Sequence, residues 1–473
     1  MQLYIEKLCM QENIVFLSKK VPLLNINNRM KQLSLLAITA FFFISCNKRY
    51  VKNDDTVIII GAGISGLAAA KELKENGVEH VIVLEASDKS GGRMKTDRSL
   101  GFAFDEGASW IHRPIGNPIT DLAIDAGATT FLTDDDNVVV YDIDGSVYSD
   151  EDYDTQDEAF EEAVGKVHRA GMNSQSFETV YHSLYADKAD DRLWKFMVSS
   201  YLEFDLGGDI SKLSSNEFYD DKEHKGVDVI VTNGYDNITN YLAKGLDIRY
   251  NERVSKVDYT DETKILVTST SGTFEASAVV VTVPLGVLKS DNFQFAPELT
   301  DEKKDALDDL AMGTVNKYVF VWDTAFWDVD LQYIGYTPET KGTFNHFLNI
   351  KKYSNNNALM AFTFGEYSRT AEDLTNVEIT DLVMNNLKSI YGSNVPNPTN
   401  MLRTRWNSNV NSFGCYSFVQ QGGESSAYKI LAKSINDRVY FAGEHTSFDY
   451  RSSVHGAYAS GITAANEMLK RYK

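Results

Sequence analysis

The sequence predicts an α/β fold that contains a doubly wound parallel sheet. The apolar run 57–60 is followed by the glycine-rich loop 61–66, an alanine-rich segment and a second apolar run, 81–84. Two later apolar runs, 278–283 and 439–442, have the length of further buried strands. Strand, glycine loop, helix and strand in this order indicate a βαβ unit of the Rossmann type.

Each residue of the glycine loop has a separate expected role. Gly61 suits the tight turn, Gly63 lets the backbone approach a pyrophosphate, and Gly66 lets the helix pack closely on the strand. Ser65 stands at the start of that helix, whose N-terminus would face the phosphates. Glu85 follows the glycines by about 20 residues and can bind ribose hydroxyls. The loop therefore predicts a dinucleotide site.

A different kind of segment precedes this unit, and we interpret residues 1–50 as a leader. The apolar run 33–45 follows Met30 and ends at Cys46. It is too short to span a bilayer and has the length of a signal-peptide core. Its end resembles a bacterial lipoprotein signal, which implies export, a lipid anchor at Cys46 and a true start at Met30. An ordinary cleaved signal or a disordered tail is the alternative.

Composition narrows the class of partner. The chain has 473 residues and a net charge of −21, and removal of residues 1–45 lowers that charge to −24. An acidic protein repels nucleic acid and attracts small cations, so we expect no nucleic-acid partner and membrane contact only through the anchor. The three cysteines, Cys9, Cys46 and Cys415, have no metal-ligand spacing, and no metal site is predicted.

Three patterns organise the middle of the chain. Residues 134–162 are rich in acids and predict a solvated loop and helix face, with attraction of polyamines toward a cleft as the alternative. Residues 158–205 have helical periodicity, and 254–277 alternate as a three-stranded meander would.

The long separations between the buried strands predict a discontinuous nucleotide-binding domain interrupted by a mixed α+β substrate-binding domain. The nucleotide-binding domain is assigned to 55–120, 225–290 and 425–473, and the substrate-binding domain to 121–224 and 291–424.

Five further blocks occur in an order that resembles the flavin amine oxidase family, in particular its polyamine oxidase and histone lysine demethylase branch. They are 108–112, 282–289, 316–317, 441–447 and 454–461. The resemblance implies a glutathione-reductase-like FAD-binding domain. It also implies hydride transfer from a small cationic amine, a polyamine by preference, to flavin N5. The imine would be hydrolysed to an aldehyde, and O2 would be reduced to H2O2.

The resemblance also implies which residues hold FAD. Arg93 would neutralise the pyrophosphate or support the flavin edge, Val254 would bind the adenine through its backbone, and Glu444 would lie near the ribityl chain. The last helix opens without a first-turn acid, which leaves free N–H groups, and its positive end would stabilise the reduced flavin. Besides the loop and Glu85, the expected cofactor-binding residues are Gly92, Arg93, Val254, Trp406, Glu444, Ser453 and Val454.

Three residues are expected to be catalytic by resemblance. Lys317 would hold a water against flavin N5, unless it is a solvent-facing strand lysine. Tyr416 would form an aromatic wall beside the flavin; the opposite wall matches Ser453, with Tyr450 as a substitute. His112 would accept a hydrogen bond from the substrate amine, or would merely pack under its loop.

Alternatives remain open at this point. Arg113 is compatible with an L-amino acid oxidase, since such an enzyme needs an arginine that binds the substrate carboxylate. A non-catalytic flavin-binding lipoprotein is the alternative from another class. Non-covalent FAD is favoured, although Cys415 matches the cysteine that monoamine oxidases link to FAD. The sequence does not indicate an oligomeric state.

Overall fold

A computed structural model describes residues 55–219 and 221–471 of the chain. The predicted leader, with Met30 and Cys46, lies outside these residues. Within the described part, none of the helices combines the length and the apolar character needed to cross a membrane.

A five-stranded parallel sheet forms the first layer, which confirms the predicted α/β class. The central strand Val57–Ile60 pairs in register with its two neighbours and is buried throughout. In spatial order the strands are Val439–Phe441, Ala278–Val281, Val57–Ile60, Val81–Leu84 and Asp247–Arg249. The last of these is an edge strand that the sequence pattern did not reveal.

The two faces of this sheet are covered differently. Val57 and Ile59 pack against the fingerprint helix (Ile64–Glu75) and the C-terminal helix (Val454–Leu469). Ile58 and Ile60 pack toward the meander on the other face. Alternate side chains of one strand therefore hold two layers together.

The predicted meander is present, with a fourth strand added. Its first three strands are antiparallel, and the fourth joins the first in parallel. In spatial order they are Gly272–Ala276, Ile265–Ser269, Val254–Asp258 and Gln294–Ala296.

A six-stranded sheet supports the other end of the site. Its strands in spatial order are Asn400–Arg403, Val315–Val321, Ala358–Phe364, Thr343–Asn349, Tyr333–Tyr336 and Val138–Tyr141. All pairs are antiparallel except the last. The strand Val138–Tyr141 lies inside the acidic stretch 134–162, so the prediction of a loop there is wrong. Its three consecutive valines and a tyrosine favour a strand in spite of the surrounding acids.

Short strands complete the sheets. One three-stranded sheet contains Trp110–Ile111, Val229–Val231 and Thr130–Leu132. Two antiparallel pairs contain Thr96–Asp97 with Phe104–Asp105 and Leu310–Met312 with Ser417–Val419.

Helices fill the segments between the sheets, and the predicted helical region near 158–205 is confirmed. It begins with the acidic helix (Asp150–Ala170), which Ser149 caps, and it ends in a π-helical turn, Val198–Glu203. The other α-helices are Pro118–Asp125, Phe177–Leu184, Arg192–Met197, Phe204–Leu206, Asp236–Leu242, Leu285–Leu288, Asp301–Asp309, Gly365–Ala371, Asn376–Tyr391 and Ala427–Ala432. Two short 3-10 turns are Ile350–Lys352 and Glu444–Thr446.

Candidate active site

The glycine loop has the geometry that a phosphate-binding turn requires. Gly61 has φ +105°, a conformation that L side chains rarely adopt. A Cβ atom on Gly66 would lie 2.0 Å from the carbonyl oxygen of Gly61, so helix and strand touch here. A Cβ on Gly63 would meet nothing within 4 Å. The loop is therefore tight toward the protein and open toward a ligand, as FAD requires.

Glu85 ends the second strand beside this loop and is buried. Its Oε2 atom accepts a hydrogen bond from the backbone N–H of Ala62 at 2.7 Å. Its Oε1 atom accepts from the backbone N–H and the hydroxyl of Ser87, at 2.9 and 2.6 Å. Ser87 was not predicted from the sequence. It fixes the carboxylate at the place where ribose hydroxyls are expected.

Arg93 and Glu444 form an ion pair although 351 residues separate them. Nη1 of Arg93 lies 2.8 Å from Oε1 of Glu444 and also donates to the carbonyl of Cys415 at 2.8 Å. The hydroxyl of Ser417 donates to Oε2 of Glu444 at 2.5 Å. Burial opposes ionisation of Glu444, but Arg93 and Ser417 hold its pKa below the usual value. The pair presents fixed charge to the middle of a dinucleotide site.

The start of the C-terminal helix differs from the prediction in one respect. Its first turn holds no acid, as predicted. However, the Ser453 hydroxyl accepts a hydrogen bond from the N–H of Gly456 and donates to the carbonyl of Tyr450. The N–H of Gly456 is therefore not free as expected, because Ser453 caps its own helix. Ser453 and Val454 still line the cavity, as does Tyr450, which stacks on His224.

Lys317 lies on the second strand of the six-stranded sheet, and only 6% of its surface is accessible. Its ammonium donates to the carbonyls of Asp105 and Gly107 at 3.0 and 2.5 Å, and to the hydroxyl of Ser109 at 2.6 Å. Burial lowers the pKa of Lys317 to about 8, against the opposing charges of nearby carboxylates. The alternative of a solvent-facing strand lysine is wrong.

Aromatic rings surround the cavity next to this lysine. Nζ of Lys317 lies 5.6 Å from the centre of the Trp110 ring, and Trp110 meets Phe204 edge to face at 6.3 Å. The Tyr416 hydroxyl donates to the carbonyl of Phe204. A Cβ on Gly207 would lie 2.5 Å from the Tyr416 ring, so this ring has one fixed position. Tyr416 is therefore placed as a rigid wall.

His112 and Asp228 form a close pair. Nδ1 of His112 lies 2.5 Å from Oδ2 of Asp228, whose Oδ1 accepts from the N–H of Arg113 at 2.8 Å. The His112 side chain is 59% accessible, yet protein surrounds it and the accessible surface faces the cavity. Burial disfavours its charged form, but the bond to Asp228 and nearby carboxylates raise the pKa of His112 overall. Sequence reasoning missed Asp228.

One cavity of about 2370 Å³ connects these parts. Small-ligand sites usually have roughly 300–1,000 Å³, so this cavity has room for a dinucleotide and a substrate. It contacts all the predicted site residues except Gly66, which serves packing. They are Gly61, Gly63, Ser65, Glu85, Gly92, Arg93, His112, Val254, Lys317, Trp406, Tyr416, Glu444, Ser453 and Val454.

The charges that line the cavity are unevenly distributed. Near the glycine loop both signs occur: the basic side chains are Lys89, Arg93, Lys95, Arg98 and Arg253, and the acidic ones are Glu85, Asp88, Asp97, Glu106, Asp236, Glu252 and Glu444. Elsewhere in the lining, acids outnumber the cations Arg113, Lys222, Lys317 and Arg451; these acids are Asp135, Asp136, Asp150, Asp154, Asp157, Glu161, Asp205, Glu217, Asp221, Glu223 and Asp228. The mixed part offers cations to phosphates, and the acidic part suits a cation.

Cys415 also lines the cavity and is a free thiol. Burial raises the pKa of this thiol to about 12. A thiol that stays protonated is a weak nucleophile, which favours non-covalent FAD.

Comparison with known proteins agrees with this site. A family described as flavin containing amine oxidoreductase matches residues 64–469. Polyamine oxidase 4 of Oryza sativa subsp. japonica is 35% identical over 447 residues, which cover 90% of each chain. Lysine-specific histone demethylase 2 of Homo sapiens is 30% identical over 452 residues, which cover 88% of this chain and 53% of that protein.

A solved structure has the same fold. A double mutant of putrescine oxidase superposes with a TM-score of 0.70 at 20% identity, and the match covers 89% of this chain and 99% of that one. The glycine loop, the Arg93–Glu444 pair and the cavity fit FAD. The chain therefore belongs to the flavin-containing amine oxidoreductases and is an FAD-dependent amine oxidase.

Proposed function

We propose that the substrate is a polyamine, oxidised at a carbon next to nitrogen. The observation that carries this proposal is the excess of acidic over basic side chains in the part of the cavity lining away from the glycine loop. A polycation gains from such a field, whereas a neutral or anionic substrate does not. Relatives over nearly the whole chain bear the name polyamine oxidase.

The arrangement of the two nearby arginines counts against the L-amino acid oxidase alternative. Such an enzyme needs an arginine available to a carboxylate. Nη2 of Arg113 lies 3.1 Å from Oε2 of Glu223, and Nη2 of Arg451 lies 3.6 Å from Oδ1 of Asp221. Both cations are paired with acids, so this part of the cavity keeps a net negative lining.

Bound FAD would supply the hydride acceptor and pass the electrons to dioxygen. The protein would supply position and protonation. Tyr416 and Trp110 would confine the reacting carbon. Lys317, which the Ser109 hydroxyl and the carbonyls of Asp105 and Gly107 orient, would hold a water for imine hydrolysis. His112, held at Nδ1 by Asp228, would present Nε2 to the amine.

A substrate panel with peroxide detection tests the proposal. We expect kcat/KM to be highest for spermidine or a related polyamine, lower for butylamine and phenylethylamine, and negligible for L-leucine. Preference for L-leucine would support the rival oxidase. Bound flavin without turnover of any amine would support a non-catalytic flavoprotein.

We also propose that the mature protein is exported and lipid-anchored at Cys46. The apolar run that ends at this cysteine supports the proposal. Labelling with radioactive palmitate in a bacterial host is expected for the wild type and absent for Cys46→Ser. Equal labelling of both proteins would contradict the anchor.

A further inference from the structure

Asp205 differs from the three acids that act on it most strongly, Asp221, Glu223 and Asp228. Its side chain is exposed to the cavity, and within residues 55–219 and 221–471 the carboxylate has no hydrogen-bond or ion-pair partner. The neighbouring acids are engaged: Asp228 with His112, and Glu223 with Arg113. An unpaired carboxylate that faces a cavity is available to a ligand.

The backbone on both sides of Asp205 is fixed. The carbonyl of Phe204 accepts the hydroxyl of Tyr416, so the preceding residue is tied to the aromatic wall. Glu203 is fully buried, pairs with Lys341 and accepts the N–H of Ile210 at 3.0 Å. Asp205 therefore occupies a defined place one residue beyond the ring that meets Trp110, which is an advantage for binding.

Among the described residues, acids predominate in the field at Asp205. The protein around the cavity keeps water from this carboxylate and raises its pKa, and the charges of Asp221, Glu223 and Asp228 raise it further, while His112 alone among the main contributions lowers it. A cation bound beside this carboxylate would relieve repulsion as well as gain an ion pair.

We propose that Asp205 is a specificity-determining residue that binds a second ammonium group of the substrate. The reacting nitrogen lies among Trp110, Phe204 and Tyr416, and Asp205 faces the next part of an extended amine. The enzyme then prefers polyamines to monoamines because only they reach this carboxylate. This inference rests on the proposed function and specifies its recognition step.

The test compares spermidine with N-propylbutylamine, which has the same secondary nitrogen and chain length but no terminal ammonium groups. Asp205→Asn lowers kcat/KM for spermidine by about 10-fold to 100-fold, mainly through KM, which is the range for a charge-assisted hydrogen bond. The value for N-propylbutylamine changes less than about twofold. Asp205→Glu restores part of the spermidine value.

The control is Asp125→Asn, which removes the same charge from an exposed position outside the cavity. It leaves both substrates unaffected. Equal losses for both amines in Asp205→Asn would assign the residue a structural role and overturn the proposal. An unchanged spermidine value would overturn it as well.

Calorimetric binding to the reduced enzyme without oxygen separates this inference from the proposed function. Wild type binds spermidine at least about tenfold more tightly than N-propylbutylamine, and Asp205→Asn loses the difference. No difference in the wild type would overturn the role of Asp205. A difference without turnover of any polyamine would keep the subsite and reject the proposed activity.

Discussion

Oδ2 of Asp228 lies 2.5 Å from Nδ1 of His112, and this pairing fixes which ring nitrogen remains for a substrate amine. Asp228 raises the pKa of His112, together with the charges of Asp205 and Asp135, while burial opposes them. His112 can accept a hydrogen bond only in its neutral form, which predominates above that pKa.

Asp228→Asn should therefore shift the acidic limb of the kcat/KM profile to lower pH. Loss of the carboxylate lowers the His112 pKa, because the hydrogen bond and the charge that raise this pKa are both removed. His455 faces His112, as do the three acids, and Arg113 acts on Asp228. Asp125→Asn removes an exposed charge outside the cavity and is the control, which should leave the limb in place. An acidic limb that stays in place would show that His112 does not set it.

Lys317→Met should reduce kcat by about 10²-fold to 10⁴-fold, the usual range for a lost proton-transferring group. FAD content should be unchanged. The Lys317 pKa of about 8 means that the ammonium prevails below pH 8 and the neutral amine above it. Wild-type kcat should therefore change near pH 8, and that step should be absent in the variant.

Lys303→Met is the matched control for that experiment. Lys303 is also buried and burial lowers its pKa to about 7, but its ammonium donates to the carbonyls of Ile430 and Leu431, away from the cavity. The variant should lose stability and keep turnover per bound flavin. Full activity of Lys317→Met would remove that lysine from the mechanism.

Two alanine variants of the glycine loop should separate packing from ligand binding. Gly66→Ala forces a Cβ to within 2.0 Å of a backbone oxygen and should cost about 1–3 kcal/mol of stability. Gly63→Ala meets no protein atom within 4 Å, so the apoprotein Tm should hold while FAD affinity falls. Measurements are Tm of the apoprotein and the FAD-to-protein ratio. A lower apoprotein Tm for Gly63→Ala, or a loss of FAD affinity without a loss of Tm for Gly66→Ala, would contradict the roles predicted for these two glycines.

Glu444→Gln should weaken the protein in a pH-dependent way. The folded pKa of Glu444 is depressed, so its ionisation stabilises the fold above the unfolded pKa near 4.5 and the effect is lost as pH falls. Urea unfolding of wild type and variant at pH 7 and pH 4 measures this. The stability difference should shrink toward pH 4, and a constant difference would show that the Arg93 ion pair contributes no pH-dependent stability.

Much of the fold could be predicted from local patterns. Four apolar runs became strands of the parallel sheet because buried parallel strands are continuously apolar. The edge strand Asp247–Arg249 escaped detection since its residues are mostly polar and half-exposed. The strand Val138–Tyr141 was missed because acidic residues surround its short apolar run. The division into two domains remains a prediction.

Site residues could be predicted from the sequence where they belong to a motif. They could not be predicted where residues far apart in the sequence come together only in the folded protein. Lys317, Arg93 and Glu444 lie in recognisable blocks and meet the cavity as expected. Asp228 and Asp205 lie in segments without a motif, so only the folded geometry brings Asp228 to His112 and Asp205 into the cavity. Both are acids in an acidic chain, and composition alone could not single them out.

The most direct test of the central claim is the flavin spectrum of the purified protein during anaerobic addition of spermidine. An FAD-dependent amine oxidase should be yellow, with its visible absorbance bleached by spermidine and restored by oxygen with release of peroxide. A colourless protein that does not acquire flavin absorbance on incubation with FAD, or a yellow one that no amine bleaches, would contradict the account.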